Sequence, residues 1–178
     1  YVWLLLPAMT DIMLEGGKKI MDSIEDILNY KPFSASLVTS GQPEADCFPL
    51  IRSTGFQVLI NLATDNSYHA IPQEAELVKK TGMQYFHIPV VWEAPQVEQF
   101  TQFSETLKQL KDTNTFVHCA MNWRVSCFMF LYRVIELQIT PSEAWWDVLD
   151  IWQPEPTWKN FVQNVLKQNH ITDFSFMQ

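Results

Sequence analysis

Phe116-Val117-His118-Cys119-Ala120-Met121-Asn122-Trp123-Arg124-Val125-Ser126 reads as a short β-branched strand ending in His-Cys, a six-residue turn closed by Arg124, and an apolar helix beginning near Val125. A strand, a loop and a helix in that order point backbone N–H groups and a helix N-terminus at an anion, here with a cysteine sulfur beneath it. Helix N-termini and nearby cations both favour the thiolate form of a cysteine, and Cys119 has both at hand. Arg124 offers a planar guanidinium fork to two oxygens of one anion, a match that lysine lacks.

Outward from that stretch, apolar runs alternate with helical patterns. Ser23-Ile24-Glu25-Asp26 resembles a capping box and predicts a short helix to about Tyr30, stopped by Lys31-Pro32. Ala35 to Thr39 suits a strand, and Pro43 suits the first residue of a helix ending before Gly55. Residues 56–62 and 85–90 are short, nearly continuous apolar runs, the pattern of strands covered on both faces. Pro72 and Gly82 bracket a helix between them. After Pro95, Val97, Phe100, Phe103, Leu107 and Leu110 recur at helical spacing. Thr140-Pro141-Ser142-Glu143 opens a further helix, and Thr157 starts the last. The sum is an α/β fold, a central mostly parallel sheet flanked by helices on both faces. In such a sheet the ligand crevice lies beyond the carboxyl ends of the strands, where Cys119 falls.

Composition narrows the class. The chain has 178 residues, 47% of them hydrophobic and 18% charged, with seven Trp and twelve Phe, so it folds rather than remaining disordered. A net charge of -8 leaves no basic footprint for nucleic acid or an anionic membrane, and any phosphate affinity is local to a pocket. Three cysteines make no disulfide framework, which points to a reducing, cytoplasmic setting. Val2 to Met9 is an apolar octet interrupted by Pro7, far short of the ~18–20 apolar residues of a membrane span. Residues 1–20 read as an N-terminal extension, disordered or not native to the domain, residues 21–170 as one domain, and residues 171–178 as a tail.

His118-Cys119, four intervening residues, Arg124 and then Ser126 resemble the active-site loop of cysteine-dependent phosphatases of the protein tyrosine and dual-specificity type. The ordered series Ser40-Gly41-Gln42-Pro43, Val58-Leu59-Ile60-Asn61-Leu62 and His87-Ile88-Pro89-Val90 is similar to bacterial phosphatase-like domains. The common phosphatase loop has five residues between cysteine and arginine. Four is the spacing of rhodanese-type sulfurtransferases and of some bacterial members. The glycines expected inside the loop are missing too, and Asn122 stands where one usually sits; Asn best tolerates a left-handed backbone after Gly.

The resemblance implies that Cys119 attacks a phosphomonoester, on a small molecule or a phosphoprotein, held by the loop residues Ala120, Met121, Asn122, Trp123 and Arg124, with neither metal nor cofactor. His118 is expected to support the loop by bonding its carbonyls. Ser126 either donates its hydroxyl to Cys119 or caps the helix. The leaving-group acid in the family is an Asp soon after the Ile-Pro strand; none follows Ile88-Pro89 here, so Glu93 is the first candidate and Asp65 the second. Cys127 reads as core filling on an apolar helix face, with a resolving thiol as its alternative. Cys47 reads as helix surface or core, and His69, His87 and His170 lack metal-ligand spacing. Trp145, Trp146, Trp152 and Trp158 read as core or lid, and Trp123 either walls the pocket or faces away. The alternatives to a phosphatase are a sulfurtransferase carrying sulfane sulfur on Cys119 and an anion-binding module without turnover.

Overall fold

The computed structural model describes residues 21–177. Its strands are β1 (Lys31–Ser34), β2 (Leu37–Ser40), β3 (Val58–Asn61), β4 (Gln84–His87) and β5 (Thr115–His118), in the sheet order β1-β2-β5-β3-β4. All neighbours are parallel except the β1 and β2 pair. β5 is central and buried throughout, so the residues that follow it leave the middle of the sheet at its carboxyl edge. Its helices are α1 (Cys47–Ser53), α2 (Glu74–Lys80), α3 (Val97–Gln109), α4 (Trp123–Ile135), α5 (Pro141–Leu149) and α6 (Pro156–Gln168).

Successive strand side chains point to opposite faces, and two cores follow. Val58, Ile60 and Val117 enter the larger core, with Phe100 and Phe103 of α3, Phe128 of α4, Trp145 of α5 and Trp158 of α6. Leu59 and Phe116 enter the smaller one, with Phe48 and Ile51 of α1 and Val78 of α2. Helices thus cover both faces, as the alternating pattern predicts. α4 carries an apolar run too continuous for a surface stripe, and most of it is buried between its neighbours. Beyond residue 170, Ile171, Phe174, Phe176 and Met177 pack on this larger core. The expected N-terminal extension, residues 1–20, lies outside the described residues.

Element boundaries depart from the sequence pattern in several places. The helix expected from Ser23 to Tyr30 is a single 3₁₀ turn, Ile24–Asp26, and Lys31-Pro32 opens β1 instead. Pro32 is tolerated there because β1 is an edge strand and a missing N–H costs no ladder bond on its open side. The helix expected from Pro43 begins only at Cys47, after a turn in which the Cys47 N–H reaches the Glu44 carbonyl (2.9 Å). α2 begins at Glu74 because Gln73 has φ 58°, a left-handed conformation that a helix interior excludes.

The register places Ser40, Asn61 and His118 side by side at the carboxyl edge, with His87 next to Asn61. Beneath that edge lies Glu74, 6% exposed. Its Oε1 accepts from Asn61 Nδ2 (2.9 Å), Tyr85 Oη (3.0 Å) and His118 Nε2 (3.1 Å), and its Oε2 from Gln42 Nε2 (2.5 Å). Burial pushes the carboxyl pKa up, but the hydrogen bond and charge of His118, with the bonds from Gln42 and Tyr85, hold it below the ordinary glutamate value.

A depressed folded-state pKa contributes stability that is present above the unfolded value, near ~4.3, and is lost as pH falls through the folded value. Glu74→Gln is therefore expected to lower stability at pH 7 by about 1.5–3 kcal/mol, the range for hydrogen bonds to a charged group. It should also flatten the loss of stability that the parent chain shows below about pH 4. Urea titrations from pH 3 to 7 check both, and equal stability of the two chains at pH 7 would contradict this view of Glu74.

Candidate functional site

From His118 the chain crosses Cys119, Ala120, Met121 and Asn122 and enters α4 at Trp123. Cys119 is fully buried, and its N–H points at the carbonyl of Ser40 (3.4 Å). The turn into α4 is made by Asn122 at φ 63°, the left-handed conformation that its side-chain type predicts. The Asn122 side chain does not face the inside of the loop. Its Nδ2 donates to the carbonyl of Asn29 (2.7 Å) and to Thr39 Oγ1 (2.9 Å), while Asn29 Nδ2 donates back to the carbonyl of Met121 (2.9 Å).

Two loop carbonyls are held on its outer wall, that of Ala120 accepting from the Gln42 N–H and that of Met121 from Asn29, while that of Trp123, already in α4, accepts from Ser126 Oγ three residues on (2.8 Å). In a trans peptide the C=O and the following N–H point opposite ways. A loop with its carbonyls anchored outside is thus built to offer amide dipoles, together with the N-terminus of α4, to an anion. The wall stands close. A Cβ on Gly41 would lie 3.0 Å from the Ala120 oxygen and 3.1 Å from that of Leu28, so a larger residue would need these backbone carbonyls to give way by a few tenths of an ångström.

Arg124 folds back over the loop. Its Nε donates to the carbonyl of Val90 (2.9 Å), its Nη2 to Ser67 Oγ (3.3 Å), and its guanidinium carbon lies 5.4 Å from the Trp92 ring centroid. Arg124 shares a small cleft, about 150 Å³, with Ala120, Met121, Trp123, Trp92, Ser67 and Tyr68. Trp123 walls this cleft, its indole stacked on Trp152 at 5.1 Å and 9°. Trp158 is fully buried and Trp145 nearly so, whereas Trp146 is exposed.

Several side chains sit differently from expectation. His118 does not bond the loop carbonyls, which have other partners; its Nε2 reaches Glu74, and its Nδ1 is buried without a partner. Ser126 bonds the Trp123 carbonyl and accepts from Trp152 Nε1 (2.9 Å), so its hydroxyl is committed away from Cys119, and Asn122 takes the helix N-cap position. Glu93 is exposed in a separate groove shared with Gln96, Thr157 and Asn160. Asp65 is exposed too, its Oδ1 4.0 Å from His87 Nδ1, and neither carboxylate lines the Arg124 cleft. Burial pushes the Cys127 thiol far up, which suits a neutral core residue. Cys47 is buried as well.

Glu74, Asn29 and Ser67 were not singled out by sequence. An acidic residue opening a helix reads as a macrodipole partner, and nothing local to Asn29 or Ser67 signals a bond to a loop 57 to 92 residues away. Among the described residues no group of His, Cys, Asp and Glu has metal-binding geometry, and no helix is long and apolar enough to cross a membrane.

The family described as "DSP-PTPase phosphatase fused to NAD+ Kinase" matches residues 10–150. Two crystal structures of a DUF442 protein of Shewanella putrefaciens CN-32, described as a candidate phosphatase, superpose with TM-scores of 0.73 and 0.70. They are 30% and 33% identical to this chain, covering 84% of it and 97% and 98% of their own length. The core catalytic domain of the PP-IP phosphatase SIW14 of S. cerevisiae shares the fold at 14% identity, with a TM-score of 0.63 over 83% of this chain and 96% of that one. No curated protein sequence matches the chain. The match over most of the chain, on the fold and loop just described, makes it a member of the cysteine-dependent dual-specificity and protein tyrosine phosphatase-like superfamily.

Proposed function

We propose that the chain hydrolyses phosphomonoesters through a cysteinyl-phosphate. The observation that carries this is the placement of Cys119 at the head of a loop whose Ala120 and Met121 carbonyls are bonded from outside, with Arg124 in the same cleft as Ala120 and Met121. Substrate phosphate would sit in that loop, on its amides and on the Nη groups of Arg124, whose Nε is already fixed by Val90. The Cys119 thiolate attacks phosphorus, forming an S–P bond as the P–O bond to the leaving group breaks. Water then attacks phosphorus, the S–P bond breaks, and inorganic phosphate and the thiolate are released.

The proton taken up by the leaving oxygen is assigned to Glu93, the first carboxylate after the Ile88-Pro89 strand, which faces a separate groove in this structure. Trp92, its neighbour, already lies against Arg124. The four-residue spacing is shared with sulfurtransferases, but the family and its solved relatives named above are of the phosphatase type.

Purified protein is expected to hydrolyse an aryl phosphate at mildly acidic pH, and Cys119→Ser to abolish turnover. Arg124→Lys should reduce kcat/KM by about 10²–10³, the cost of losing a positioned donor to developing charge. No turnover above background removes this function. Sulfate binding without turnover then indicates a binding module, and sulfur transfer from thiosulfate to cyanide indicates the sulfur chemistry.

Glu93→Gln is expected to slow alkyl phosphates more than aryl phosphates, because a phenoxide leaves without much help from an acid and an alkoxide does not. Comparison of the two kcat/KM ratios checks this; equal loss on both, or none on either, excludes Glu93 as the acid.

A further inference from the structure

We propose that Glu74 is a positioning residue for the Cys119 loop, acting through His118 and Gln42 from outside the cleft. The proposal rests on the phosphatase reading of that loop and extends it to a residue with no contact to substrate.

The loop is held at its start by His118 and along its wall by Gln42, whose N–H carries the Ala120 carbonyl. One carboxylate grips both, Oε1 on the His118 ring and Oε2 on the Gln42 amide. Among the described residues Glu74 is the one side chain bonded to the His118 ring, since Nδ1 has no partner. The groups facing Glu74 come from every neighbouring element: Gln42 after β2, Asn61 from β3, Tyr85 from β4 and His118 from β5. His87 and Asp65 share its groove.

All four partners donate hydrogen bonds to Glu74. A carboxylate has two acceptor oxygens for them, whereas a glutamine has one oxygen and an NH₂ that would meet another donor. Burying an ion here costs more than burying an apolar side chain of the same size, so stability alone does not call for Glu74. Fixing the two anchors of an anion loop in one register does.

The test is sulfate binding by calorimetry at pH 6.5, on the full chain, well below melting. Glu74→Gln and His118→Gln are each expected to weaken sulfate about tenfold, a coupling typical of contacting residues, and the double variant no more than the worse single. General destabilisation does not produce that non-additivity. Ser104→Ala, which removes a partly buried bond to Glu136, serves as the control and should bind as the parent does.

A folded Glu74→Gln with parent affinity overturns the proposal, as does a double variant that loses the product of the two singles. Should Glu74→Gln not fold, Tyr85→Phe removes one of the four donors; a measurable weakening supports the proposal and unchanged affinity overturns it. Sulfate binding without phosphatase turnover removes the proposed chemistry but leaves the positioning role standing. A parent chain that takes no sulfate removes both.

Discussion

The outward anchoring of the carbonyls of Ala120 and Met121 is the constraint on which the site depends. A six-residue turn has too few atoms to choose its own conformation, and glycines do not supply the flexibility here. The shape is imposed from outside by the Gln42 N–H and the Asn29 amide, and by Asn122 in a left-handed conformation with its side chain buried in the wall. Asn122 therefore spends its side chain on the wall and not on the inside of the loop. Its amide group secures the loop to Asn29 and Thr39 across more than 80 residues of sequence.

The same arrangement reconciles an acidic chain with the proposed anion site. A net charge of -8 repels polyanions at long range, yet that field is screened within about a Debye length, ~8–10 Å. Inside the cleft, fixed dipoles and one guanidinium act over a few ångströms in partly dry surroundings, where they are worth more. Arg124 is prepared for this role by three contacts: the Val90 carbonyl, the Ser67 hydroxyl and the face of Trp92. Trp92 and Trp123 in turn lean on Trp152 and Trp158, so the cleft wall is continuous with the larger core.

Much of this was legible in sequence because it is local. Strand 115–118, the loop, the apolar helix after it and the left-handed Asn122 all follow from residue type and spacing. Boundaries failed where the backbone leaves the helical path at residues whose type does not signal it: a turn over 44–47 delays α1, and the left-handed Gln73 delays α2. Partner assignments failed because distant groups compete with local preference. His118 and Ser126 were correctly seen beside the cysteine, but their bonds go to Glu74 and to Trp123 and Trp152, which only the fold brings near. Position relative to a cleft is equally invisible to spacing, and Glu93 shows it: one residue after Trp92, it lines another groove.

The most direct measurement is a single-turnover reaction with an aryl phosphate, quenched in acid and mapped by peptide mass spectrometry. The mechanism predicts a phosphoryl group on the peptide carrying Cys119, forming with the released phenol and decaying as inorganic phosphate appears. Phenol release with that peptide unmodified throughout, or with phosphate on another residue, would contradict it.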